Sequence, residues 1–498
     1  MPMINKLCAE IYEDKNVREN LIELNRIIKE DAYLDRFLDE YYEHESDFID
    51  LLEHSDAKVR KNAVKLLGRV GDPILLDVLF EHYQNEETQF LKSDYLAALS
   101  GFDYEKYIPE LKERWKALEN QERTKHSAEE IKQLQKLVWK MEPPKRHTFT
   151  GDHLENKLLL IVSGGHEDEV LKEVQAIPDT KGKTMSGGCL ITTKQLAKVR
   201  EVRTYQALLF DFYPSSIPSL DGETIGNTIL NAGLTEYISR RHKEEHPFLF
   251  RVDVRGEKDI VKKNQLAKEL SVCLQENSRG MLINESSFYE VEIRVIVGSK
   301  SSRVFLKLTC MPDERFRYRK YVTATSMHPA KAAMIIHYAK PYLRTDANIL
   351  DPFCGTGALL IERALGAPYK SIYGLDISGQ AVQVAWENSS RAGVTLHLIQ
   401  RNFNDFKHEY KFDELFTDMP RQSSNRTQSQ TDYLYHLLFS RGRELLAPEG
   451  VMVIYSEDGA VMERKLAENA WLKRLQKIPM SRDKSCWLYI LQNKENNI

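Results

Sequence analysis

The residues most able to do chemistry in this chain lie between positions 348 and 362. An apolar stretch ends in Asp351, a turn carries Gly355 and Gly357, and a helix-like pattern opens directly afterwards. Glycines let a backbone come close to a ligand where a Cβ would intrude. The carboxyl end of a first parallel strand is also where a doubly wound α/β fold opens its crevice. A second acid is in register: Ser371–Asp376 reads as the next strand, and Asp376 lies 19 residues past Gly357. That spacing suits an acid that grips ribose hydroxyls.

What the loop lacks narrows the ligand. The chain has no Gly-x-x-x-x-Gly-Lys-Ser/Thr, so a nucleoside-triphosphate loop is unsupported. Three residues after Gly357 stands Leu360, where a dinucleotide binder carries its third glycine for a diphosphate. A nucleoside cofactor without phosphates needs only the tight turn and the acids, and S-adenosylmethionine is one.

The elements around this loop divide the chain into three regions. Residues 1–142 read as helical. In residues 55–73, Ser55 or Asp56 can cap a helix, Val59, Ala63, Leu66, Leu67 and Val70 share one face, and Gly71 with Pro73 ends it. This is a HEAT-like unit, with looser units after it. Such layers need neighbours to bury their faces, and this one is expected to serve either as a stabilising cap or as a docking surface for a protein partner or the substrate. Pro143-Pro144 and the polar stretch to Lys157 mark the first boundary. Residues 155–320 read as α+β, with strands at 158–162, 248–254, 291–297 and 303–309 and helices at 167–174 and 260–274. Residues 321–498 read as the doubly wound domain, with further strands at 396–399, 412–417, 451–455 and 486–491, and a turn at Pro448 and Gly450.

Composition agrees with a multidomain soluble protein. The chain has 498 residues, 42% hydrophobic and 29% charged. No apolar run approaches a membrane span and no secretory signal is visible, so a cytoplasmic location is expected. Six scattered cysteines form no Cys-x-x-Cys pair, which speaks against a zinc ribbon, a structural metal or a disulfide framework. The net charge of −4 hides an asymmetry: residues 1–60 carry 16 Asp/Glu against 8 Lys/Arg, and residues 294–344 carry 11 Lys/Arg against 2 Asp/Glu. Arg315, Arg317, Arg319 and Lys320 alternate with Phe316, Tyr318 and Tyr321. Alternating cations and aromatics suit single-stranded RNA.

Together these segments resemble a known family. The C-terminal region resembles class I S-adenosylmethionine-dependent methyltransferases, and more narrowly the THUMP-domain RNA guanine-N2 methyltransferases that include TrmN and the RlmL-type enzymes. The resemblance is carried by Arg317-Tyr318-Arg319, by Met327-His328-Pro329-Ala330-Lys331, by the Asp351-to-Gly357 loop, by Asp418-Met419-Pro420 and by residues 445–450. It covers about residues 155–498, and the helical N-terminus lies outside it. It implies a ferredoxin-like and THUMP middle region that grips RNA, above all tRNA. It implies cofactor contacts from Asp351, Phe353, Gly355, Thr356 and Gly357 at the methionine end. Asp376 and Ile377 would lie along the ribose, with Asn402 or Asp405 meeting the adenine. It makes Asp418, Pro420 and Arg421 the catalytic turn, in which a side-chain oxygen and a backbone carbonyl accept the hydrogens of an exocyclic amine. The family's next residue is aromatic and stacks on the extruded base; here Arg421 stands there, followed by Gln422.

The expected function is therefore transfer of a methyl group from S-adenosylmethionine to guanosine N2, in tRNA. The alternatives are a non-catalytic RNA-binding or scaffold protein with a degenerate methyltransferase domain, and a methyltransferase for another nucleobase amine, as in rRNA, or for protein. Cys354 is expected to be a small loop residue, not a nucleophile. His328 should serve in packing or hydrogen bonding, and Trp386 in the core.

Overall fold

The computed structural model describes residues 2–121, 124–322, 326–421 and 427–494; Gln422 lies outside them. The chain forms two compact units, residues 1–145 and 146–498.

The first unit is helical throughout its described residues. The helix Ala57–Val70 begins at Asp56, whose side chain accepts from the Lys58 amide, and ends at Gly71 in the left-handed region (φ 72°). Val59, Ala63, Leu66 and Leu67 are buried as their spacing requires, while Val70 is half-buried. Leu75–Asn85, Gln89–Leu99, Ile108–Glu119 and Lys125–Met141 continue the stack over one core.

The second unit holds two sheets. The first has eight strands: β1 Asn156–Ile161, β2 Thr180–Met185, β3 Gly188–Thr193, β4 Ala207–Phe210, β5 Phe248–Arg255, β6 Leu282–Asn284, β7 Val291–Val297 and β8 Ser302–Leu308. Their order is β2-β3-β1-β4-β8-β7-β5-β6. Strands β2, β3 and β4 are too short or too polar to give a period-two signal, so the sequence reveals only half of this sheet. The polar stretch before it is no linker. The His147 ring donates to or accepts from buried Glu290 at 2.9 Å, the His147 amide donates to the same carboxylate at 2.6 Å, and Phe149 bridges to His242. The unit boundary accordingly falls at 145/146, and the strap 146–154 belongs to the sheet.

The second sheet has seven strands: β9 Asn348–Asp351, β10 Ser371–Asp376, β11 His397–Gln400, β12 Phe412–Asp418, β13 Leu446–Ser456, β14 Leu472–Pro479 and β15 Trp487–Asn493. The order is β11-β10-β9-β12-β13-β15-β14, parallel except for β15, which runs antiparallel to both neighbours. Strand β14 gives no apolar pattern in the sequence because Lys473, Arg474 and Lys477 interrupt it and half its residues are exposed. Pro448 and Gly450 do not precede β13 but sit inside it, where the register to β12 jumps from Leu446 to Val451. Trp386, expected in the core, is 57% exposed on the helix Gly379–Ala392; Ala385, Asn388 and Ser389 are the buried residues there.

One core runs through the elements of both sheets, with Leu160, Val295, Ile335 and Ile349 all fully buried in it. The helix Ala358–Gly366, which follows the glycine turn, is held from two sides. Glu362, 2% exposed, accepts from Arg203 of the first sheet's domain at 2.7 Å and from the Tyr318 hydroxyl at 2.7 Å. Arg363, fully buried, pairs with Glu414 of β12.

Candidate active site

Strand order reverses direction at β9: the chain proceeds to β10 on one side and returns to β12 on the other. A doubly wound sheet binds its ligand at such a point, beyond the carboxyl ends of the strands. Three neighbouring strands end here in acids: Asp376 on β10, Asp351 on β9 and Asp418 on β12.

The turn after β9 is built by its own hydrogen bonds. The Phe353 amide donates to Asp351 Oδ1 at 3.0 Å, the Gly355 amide to Asp376 Oδ2 at 3.1 Å, and the Cys354 amide to the Leu375 carbonyl at 2.8 Å. Gly355 (φ 52°) and Gly357 (φ 80°) occupy the left-handed region. A Cβ on Gly357 would come within 3.2 Å of Ala385, whereas nothing lies within 4 Å of the Cβ position of Gly355. Gly357 is thus needed for helix packing, and Gly355 faces open space on the crevice side. Buried Thr356 donates to the Ser326 hydroxyl at 3.1 Å, and Asn388 donates to the Thr356 carbonyl at 3.3 Å. Phe353 packs edge-on against buried Phe403 at 5.8 Å.

The site is electrically short of cations. Burial pushes the Asp351 carboxyl well above its ordinary value, and Asp418 and Asp376 push it further. Asp418, half-buried, rises to about 7, chiefly by burial; Lys331 and Arg421 oppose the rise and Glu457 adds to it. Cys354 is a buried thiol driven far upward by burial and by Asp351 and Asp376, so it is no nucleophile at neutral pH. Carboxylates packed this closely favour a bound cation. S-adenosylmethionine, with its sulfonium and ammonium, fits that demand. Asp376 spends one lone pair of each oxygen on the amides of Gly355 and Ser378 and retains acceptor capacity for ribose hydroxyls. Ile377 beside it is 68% exposed. Asn402 and Asp405 are exposed on the short turn after β11, where Asn402 caps the Asn404 amide. Replacing Asp376 with alanine should weaken S-adenosylmethionine about 10- to 100-fold in calorimetry, the worth of one or two hydrogen bonds to a charged group.

The turn after β12 is tied to β13 by the Met419 amide, which donates to the Tyr455 carbonyl at 2.9 Å. Lys331 donates to the Tyr455 hydroxyl at 3.1 Å. Arg421 is exposed and donates from one guanidinium nitrogen to both oxygens of Glu457, at 2.9 and 3.0 Å. Lys331, Tyr455 and Glu457 are not among the expected site residues; Tyr455 and Glu457 come to Asp418 through the pairing of β12 with β13, and Lys331 through the packing of the helix Pro329–Ala339.

The basic run divides. Arg315 is corrected from a nucleic-acid contact to a structural residue: it is 7% exposed and donates to Asp313 and to the carbonyls of Val202 and Tyr205. Tyr318 is likewise buried on Glu362. Arg317 is exposed and pairs with Glu314 at 3.2 Å, Arg319 is half-buried, and Lys320 is exposed over the Tyr321 ring. His328 caps the helix Pro329–Ala339 by accepting from the Ala330 amide, as expected of a hydrogen-bonding residue.

Comparison with known proteins agrees with this geometry. The family described as RMKL-like, methyltransferase domain, matches residues 317–482, and HEAT repeats match residues 45–132. Over 221 residues the chain is 24% identical to the tRNA (guanine(10)-N2)-dimethyltransferase of Methanothermobacter thermautotrophicus, covering 42% of this chain and 65% of that protein. The chain thus spans just under two thirds of that relative's length. TrmN from Thermus thermophilus superposes with a TM-score of 0.53 at 17% identity, over 68% of this chain and 99% of TrmN. SMU.472 complexed with SAH gives 0.51 at 17%, over 69% and 99%. Residues 317–482 are thus similar to RMKL-like methyltransferase domains, and residues 45–132, within the N-terminal unit, to HEAT repeats.

Proposed function

We propose that this protein is an RNA methyltransferase that uses S-adenosylmethionine and acts on guanosine N2 in tRNA. The observation that carries the reading is the set of three acids at adjacent strand ends, one of them opening an Asp-Met-Pro turn. Supporting it are the match of residues 317–482 and the tRNA guanine-N2 relative.

S-adenosylmethionine supplies a methyl group already bonded to a cationic sulfur. The chain's own residues must then hold and aim a poor nucleophile. The lone pair of an exocyclic amine is delocalised into its ring. Asp418 and a backbone carbonyl of the turn would accept the two amine hydrogens and so aim the lone pair, a positioning effect. As the nitrogen–carbon bond formed, the methyl–sulfur bond would break, its electron pair staying on sulfur to leave neutral S-adenosylhomocysteine, and the nitrogen would shed a proton that Asp418 could take. Asp376 and the 353–357 turn hold the cofactor, and Arg421 can lie on the face of the base. Arg317, Arg319 and Lys320 remain the RNA contacts we propose beside it.

The test is mass spectrometry of nucleosides from unmodified tRNA incubated with the protein and S-adenosylmethionine; N2-methylguanosine is expected, and an unchanged profile for tRNA and rRNA rejects the reading. A pH dependence accompanies it. Asp418 works ionised and its carboxyl sits at about 7, so kcat/KM should rise with pH through about 7. A bound cation favours the carboxylate, so saturation with S-adenosylmethionine should move that acid limb to lower pH.

A further inference from the structure

We propose that Glu457 selects guanine, its carboxylate taking the N1–H of the base while Asp418 takes a hydrogen of the N2 amine. The inference rests on the reading of this site as an amine methyltransferase and names the residue that would choose the base.

Geometry brings the two acids together. Strands β12 and β13 are parallel neighbours, with Asp418 level with Tyr455. Glu457 follows two residues later, exposed just past the end of β13. The two carboxylates are close enough that Glu457 makes Asp418 harder to ionise.

The present partner of Glu457 says what it can hold. Both of its oxygens accept from the guanidinium of Arg421. A guanidinium presents N–H groups on a planar, nitrogen-substituted carbon, and the N1–C2–N2 edge of guanine presents the same pattern. One guanidinium nitrogen makes both contacts, so the chain has seated a planar N–H donor, though not a two-nitrogen edge, on the carboxylate beside Asp418.

The bases differ where this pair of acids would read them. The reactive amine of guanine is flanked on one side by N1–H, a donor. The N6 amine of adenine is flanked by N1, and the N4 amine of cytosine by N3, both acceptors. A second carboxylate beside the first accepts from guanine and meets an opposing lone pair in the other two. Glu457 is exposed here; once a base covers it, a carboxylate left unpaired rejects the wrong ligand. Arg421 must leave Glu457 as the base arrives, which brings its guanidinium to the base it can stack on.

The experiment uses the full chain with S-adenosylhomocysteine and millimolar GMP, IMP, AMP and CMP, read by saturation-transfer NMR. GMP should bind at least tenfold better than AMP or CMP, with IMP between them because it keeps N1–H and lacks the amine. Glu457→Gln should erase the preference for GMP and strengthen AMP, since the glutamine amide can donate to adenine N1. With unmodified tRNA, Glu457→Gln should lower kcat/KM about 100-fold at unchanged S-adenosylmethionine affinity, the size of a lost charged hydrogen bond. A GMP preference that survives in Glu457→Gln, equal binding of AMP by the wild type, or no nucleotide binding at all overturns the assignment. Methylation of adenosine by the wild type overturns it while leaving the methyltransferase reading intact. Failure to bind S-adenosylhomocysteine overturns both.

Discussion

Replacing Asp418 with alanine is expected to lower single-turnover methyl transfer by about a thousandfold, the cost of removing a group that aims and deprotonates the reacting nitrogen. Cofactor affinity should change little, for a reason visible in the coupling of the acids. Burial, with Asp418 adding to it, holds the Asp351 carboxyl above its ordinary value. Without Asp418, Asp351 ionises more readily, and the crevice keeps much of its attraction for a cation. Asp418→Asn separates the two roles. An amide oxygen still accepts one amine hydrogen but takes no proton near neutrality. Its rate should fall about a hundredfold, a typical loss for general-base catalysis, and the acid limb near pH 7 should vanish. Transfer of a labelled methyl group, with calorimetry of S-adenosylmethionine alongside, reads both quantities. An alanine variant that keeps transfer within tenfold of the wild type would place the amine-holding turn elsewhere.

The contrast between what the sequence discloses and what it hides follows from where each interaction is written. The cofactor turn is local: Asp351, Gly355 and Gly357 lie within seven residues, and the φ of 52° and 80° at the two glycines is what their type announces. Asp376 is legible because one strand–helix–strand unit fixes its distance along the chain. The central strands β9, β10, β12 and β13 are apolar runs and read directly. Strand β14 does not, because Lys473, Arg474 and Lys477 give it the pattern of a solvated edge. Trp386 was assigned to the core from its residue type, yet on its helix Ala385 and Asn388 face inward and the indole faces out. Arg315 shows the opposite error. A run of alternating cations and aromatics looks the same whether its arginines face solvent or, as here, one is folded onto Asp313 and two carbonyls. Lys331 and Glu457 reach Asp418 only through the pairing of β12 with β13 and the packing of the helix Pro329–Ala339, which no local pattern encodes.

The same dependence on distant pairing sets the second large effect. Glu414→Ala should destabilise the second unit by about 3–5 kcal/mol, because it leaves the buried Arg363 guanidinium without its counter-charge. Both side chains are fully buried, joined at 2.7 and 3.0 Å. Glu414 also accepts from the Arg344 amide at 2.8 Å, and Arg363 donates to the carbonyls of Ala367 and Arg344. Removing the acid strands an amide and a cation together. The consequence reaches the site, because Arg363 and Glu362 hold adjoining faces of the helix that opens at Gly357. Loss of the Glu414 anchor should loosen that helix and weaken S-adenosylmethionine binding along with stability. Glu362 would still bind Arg203, so the domain should remain folded at low temperature. Replacing both partners, Arg363→Met with Glu414→Leu, removes the orphaned charge and should recover most of the lost stability, since apolar groups of similar volume often substitute well for a buried pair. Urea unfolding of the single and the double variant decides the matter: a Glu414→Ala cost under about 1 kcal/mol, the range of a surface pair, would show that this ion pair does not anchor the cofactor turn to the sheet.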